Sequence, residues 1–187
     1  MDADTGKLSC MSGSEWVDHV HDPVFSFAPG DGPPHLIAGV TGSVALHVLR
    51  QLVLAVRPPF FLLYVLHTPR GEGEPGRYQS PKITREDADA FLARFGAFLA
   101  QDGRHDLWLH SPADRTTAVW DRHNLLHVRG DTEWAASFLR SLGFREGEAQ
   151  IPAPHSHNYH ARFDDDAAGV LEFFDWSYGE LRPQDEQ

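Results

Sequence analysis

Prolines set the outer limits of this chain's regular elements, because a proline nitrogen donates no hydrogen bond and its ring fixes φ. Pro58-Pro59 and Pro69 bracket the most β-prone apolar run, Phe60 to His67, which reads as a central strand covered on both faces. Pro23, Pro29, Pro33 and Pro34 break up residues 1–35, which also abound in Gly, Ser and Asp. This stretch reads as a loose amino-terminal arm ending in an irregular connection. Residues 36–181 then form one globular domain, and 182–187 a polar tail.

The long intervals between prolines hold the periodic segments. Leu36 to Val40 predicts a short strand and Ser43 to Val56 an apolar helix capped by Ser43. The Gly- and Pro-rich segment from Arg70 to Pro81 predicts an exposed loop or edge hairpin. Thr84 followed by Asp87 approximates a capping box, and Ala88, Phe91, Leu92, Phe95, Phe98 and Leu99 make one apolar helical stripe. Three short strands between about 105 and 130, joined by tight connections, predict an antiparallel meander. Asp131 caps a helix ending at Gly143, and a last helix starts at Asp164. The fold class expected is α+β: a mixed, largely antiparallel sheet packed by three to four helices, with α/β as the alternative.

Acidic residues outnumber basic ones by 27 to 16, for a formal charge of −11. Such a surplus repels phosphate backbones and anionic lipid headgroups, which argues against nucleic acid and membrane as partners. Cys10 is the only cysteine, so neither an intrachain disulfide nor a cysteine zinc cluster can form, and a reducing, cytoplasmic setting is expected. Met1 to Trp16 lacks the basic and apolar regions of a secretory signal.

Between the first expected strand and helix stands Gly39-Val40-Thr41-Gly42-Ser43-Val44-Ala45, which resembles the phosphate loop of nicotinamide-binding short-chain dehydrogenases. That resemblance implies a cofactor pyrophosphate on the helix start. It covers about fifteen residues, and it departs from the pattern at Ala45 and in lacking an acid after the next strand.

Histidine carries the other candidates. His155, His157 and His160 fall within six residues, and an i, i+2 pair on extended backbone points both imidazoles one way, toward one zinc, iron or manganese ion. Tyr159 or Asp164 adds an oxygen. His19 and His21 resemble the His-x-His of amidohydrolases, whose (β/α)₈ barrel needs a longer chain. His105, His110, Asp121, His123 and His127 spread over the meander and suit either an acid/base pair or simple hairpin turns. Trp108 and Trp120 raise the prospect of a sheet face used for binding, with a covering helix as the simpler reading. Since no set is complete, the leading expectation is a non-catalytic domain binding a protein or small molecule. A metal-dependent hydrolase using the 155–160 histidines comes second, and a nicotinamide-dependent oxidoreductase third.

Overall fold

The computed structural model describes residues 6–28 and 34–185. From the amino end come strands β1 (Leu8–Ser12), β2 (Glu15–Asp18), β3 (Val24–Phe27) and β4 (His35–Gly39), helix α1 (Gly42–Ala55), and strands β5 (Phe61–Leu66) and β6 (Gly76–Gln79). Helix α2 (Arg85–Gln101) leads to β7 (His105–Ser111), β8 (Thr116–Trp120) and β9 (Leu125–Arg129), then α3 (Thr132–Ser141) and β10 (Arg145–Glu146). The last elements are β11 (His155–His157), α4 (Asp164–Phe173) and β12 (Ser177–Gly179). Nine strands form one sheet in the order β10-β3-β4-β9-β8-β7-β5-β6-β12, and three form a second, β11-β1-β2. The single parallel pairing among the described residues is β10 with β3. The fold is α+β, with β7, β8 and β9 as the expected antiparallel meander.

Helix α2 starts where its chemistry dictates. The Thr84 hydroxyl accepts from the Asp87 N–H at 3.1 Å, and the Asp87 carboxylate accepts in return from the Thr84 N–H at 3.0 Å. Its stripe is buried from Ala88 to Leu99. Helix α1 is capped by Thr41, two residues earlier than Ser43, because Thr41 has the extended backbone that lets its hydroxyl accept from the Val44 N–H.

The four α-helices of the described residues pack on one side of the large sheet. Its inward residues include Leu36, Leu62, Leu107, Trp120 and Val128, all nearly inaccessible. Pleating sends the alternate residues outward, so the register Ile37, His127, Val119, Trp108, Leu63 forms a row on the opposite face. Trp120 and Trp108 thus stand on opposite faces, and among the described residues no helix covers the second. Strand β5, expected to be covered on both sides, therefore keeps Phe61 and Leu63 partly exposed.

The stretch read as a loose arm holds three strands instead, except that 1–5 and 29–33 fall outside the described residues. Prolines there mark gaps between strands, and β1 gains order from two neighbours: Leu8 pairs His157 and Ser9 pairs Asp18. The small sheet sits across the end of the large one, where Lys7 Nζ reaches the Asp121 carbonyl at 3.3 Å and the Gly103 N–H reaches the Asn158 carbonyl at 2.9 Å. Near the carboxyl end, Pro183–Asp185 makes one 3-10 turn whose Asp185 pairs with Arg77. Among the described residues no helix is long and apolar enough to cross a membrane.

Candidate functional site

The junction of the two sheets gathers histidines from three distant parts of the chain. Strand β11 is extended, so His155 and His157 project from the same side, as their spacing predicts. Strand β1 holds β11 against the β8–β9 turn, which brings His123 to both: ring centroids lie 5.2 Å from His155 and 4.8 Å from His157. One ligand nitrogen from each ring lies within 4.8 Å of the others.

His160 is not part of this group. After Asn158 the chain turns away, the His160 N–H donates to Asp102 Oδ2 at 2.8 Å, and its ring settles near Phe163. Tyr159 points elsewhere as well, with its hydroxyl 3.4 Å from that of Thr68. Asp164 receives Arg104 at 3.0 Å and Arg70 at 3.1 Å.

Neighbouring groups set the orientation of two of the three rings. His155 Nδ1–H donates to the Pro152 carbonyl at 3.3 Å, leaving Nε2 as its available nitrogen. His123 Nδ1 lies 3.7 Å from Asp121 Oδ2. Asp121 itself accepts from the backbone N–H groups of His123 and Leu125 at 2.9 and 2.8 Å, and His127 Nε2 stands 3.3 Å away. Burial pushes the Asp121 carboxyl upward, but the bonds from His123 and His127 outweigh it and hold the group well below the usual carboxylate range. His157 Nε2 is buried with no hydrogen-bond partner among the described residues. Burial, then the neighbouring His123 and Arg122, lowers His157 to about 3, so the ring is an unprotonated imidazole at neutral pH.

A second chain of rings supports His123 from behind. The His123 carbonyl can only accept, so His21 Nε2–H donates to it at 2.9 Å. With one proton per ring, His21 Nδ1 then accepts from His19 Nε2–H at 3.2 Å, and His19 Nδ1 faces the Cys10 thiol at 4.0 Å. Gly39 leaves room for His21: a Cβ there would meet the His21 Cβ at 2.8 Å. Beneath the site Lys7 is fully buried, with its ammonium 4.3 Å from the centre of the Trp120 ring. Burial lowers it to about 8 despite the nearby Asp106 and Asp121.

His123 also borders a cavity of about 340 Å³ on the uncovered sheet face, lined by Trp108, Thr117, Val119, Asp121 and His127 among others. Of the meander candidates, then, Asp121, His123 and His127 come together at the site. His110 bonds Thr117 at 2.9 Å farther along, and His105 is buried on the helix side against Phe98 and Tyr64.

The glycine loop has a packing role. A Cβ on Gly42 would lie 2.0 Å from the Ala100 carbonyl oxygen, so this glycine lets α1 abut the end of α2. Strand β4 before it is antiparallel to both neighbours, unlike the parallel strand that the dehydrogenase resemblance implies.

Sequence reasoning placed His123 in a different group from His155 and His157, and it set Cys10 in a flexible arm. The joining signal is the pairing of β1 with β11, which no local pattern encodes. Compared with known proteins, the chain matches no family model, no curated protein and no solved structure.

Proposed function

We propose that this chain is a metal-dependent enzyme of hydrolytic type, with His123, His155 and His157 holding one divalent ion, zinc by ligand chemistry. The observation that carries the reading is the convergence of three imidazole nitrogens within 4.8 Å, drawn from two segments far apart in sequence. Three neutral nitrogens suit zinc and leave its fourth position open, the arrangement found in catalytic rather than closed structural sites. Asp121 and the Pro152 carbonyl serve as the outer partners that fix ring orientation. A divalent ion held by these three rings would supply Lewis-acid activation of water for hydrolysis. His123 links the ion to the adjoining cavity, where a substrate has room.

Protein purified without a His tag and analysed for metals tests this directly. One zinc, iron or manganese per chain is expected, lost in His123→Ala and His157→Ala and kept in His160→Ala. Protein that binds no divalent metal, or that loses it with His160, overturns the proposal.

A non-catalytic interaction domain is the second reading, favoured by the exposed Trp16, Val17 and Val20 on and beside the edge strand β2. Light scattering of the wild type and of Trp16→Ser tests it: self-association removed by the substitution supports this reading, and a monomer in both cases counts against a self-interacting surface.

A further inference from the structure

The uncovered sheet face carries more than the cavity beside His123. Two further cavities, of about 430 and 580 Å³, continue it: the first shares Trp108 and Thr117 with the cavity at His123, and the two share Leu63, Arg77 and Gln79 with each other. Together they form one groove running across the strands from β9 to β12. Five strand spacings separate these, so the groove is about 24 Å long.

The chain's own carboxyl-terminal turn shows what this groove accepts. Asp185 sits in it with a side chain only 1% exposed, its carboxylate paired with Arg77 and also accepting the Arg182 N–H at 2.8 Å. Arg77 lies 5.4 Å from the centre of the Trp108 ring, so the acid, the guanidinium and the indole stack into one polar anchor. Of the other acids of the lining, Asp106 and Asp121 are already engaged, and Glu180 stands exposed at the β12 end. Asp106 accepts from the Arg122 N–H at 2.8 Å and faces His67 Nε2 at 2.9 Å, while Asp121 is held as described above. Arg129, at the far end, keeps an exposed side chain.

We infer that the groove binds an extended peptide carrying acidic side chains, with Arg129 taking one carboxylate and Arg77 another once Asp185 is displaced. As a statement about what the metal centre acts on, this rests on the metal reading; the binding itself needs no metal. Arg77 on β6 and Arg129 on β9 stand four strand spacings apart across the sheet and four residues apart along it, Arg77 level with Asp106 and Arg129 with His110, which makes about 23 Å. At ~3.3 Å per residue an extended peptide covers that span with acids about seven residues apart.

The test is fluorescence anisotropy with a labelled peptide of about nine residues bearing Glu at both ends of that span, against its Gln analogue, in the presence of a chelator. The Glu peptide is expected to bind about tenfold or more tightly than the Gln peptide, and Arg129→Gln to remove most of that preference. Asp185→Asn, which frees Arg77, is expected to tighten binding about tenfold. Equal binding of the two peptides, or Asp185→Asn with no gain over wild type, overturns the inference. Arg129 is exposed, so its variant folds even where an Arg77 variant does not. Binding of the Glu peptide by protein that takes up no zinc supports the groove and sinks the metal reading alone. Zinc uptake without any Glu preference does the reverse.

Discussion

His123 ties the site together through both its ring and its backbone. The ring joins His155 and His157, the N–H anchors on Asp121, and the carbonyl accepts a hydrogen bond from His21. Replacing it should therefore cost metal affinity most, by tenfold or more beyond any loss at a supporting group, since a ligand and the focus of its supports go together. His21→Phe removes the bond to the carbonyl and the one from His19, but no proposed ligand, and should weaken zinc by about 10- to 100-fold without abolishing it, as calorimetric titration would read. His105 makes a separate statement about pH. Burial, then Lys7 and Arg104, holds it well below an ordinary imidazole, and both its ring nitrogens are buried without partners. The unfolded chain thus binds a proton there that the folded chain refuses. Stability due to His105 is constant above about pH 6.5 and falls by about 1.4 kcal/mol per pH unit below it. Urea melts of His105→Phe between pH 6.5 and 5 should show a slope shallower than wild type by that one proton. An unchanged slope would show that the ring is not excluded from protonation.

Helix α2 was legible in the sequence because its signals are local: a cap, an acid three residues on, and a stripe at helical spacing. Phe95 within that stripe is 2% exposed and packs against Phe91 and Phe173. Phe95→Ala should cost about 3–5 kcal/mol in chemical denaturation, and a loss under about 1 kcal/mol would remove the stripe from the core. The glycine at the start of α1 was legible as a glycine and misleading as a motif. What it faces is the Ala100 carbonyl, a contact between elements nearly sixty positions apart. Gly42→Ala should accordingly destabilise the protein by more than the ~1 kcal/mol that alanine normally gains over glycine in a helix, with the sign reversed.

At the scale of the molecule, the meander, the four helices and the α+β class follow from patterns with periods of two and 3.6, and these were readable. The small sheet was not. Its strands are only three to five residues long, the prolines around them suggest looseness, and its register depends on partners at opposite ends of the chain. The pair His155 and His157 was visible through its spacing, while the third member entered only through that pairing. The same holds for the two tryptophans, whose faces depend on strand register rather than on residue type.

The pairing of Cys10 with His155 also sets an order of events during synthesis. Strand β1 leaves the ribosome early, but its second neighbour follows roughly 145 residues later, which at about 5–20 residues per second means a wait of about 7 to 30 seconds. Until then one edge of β1 is open, and the histidine group lacks two of its three members. A metal bound as proposed would meet its full set of ligands only at a junction that the rest of the chain has already brought together.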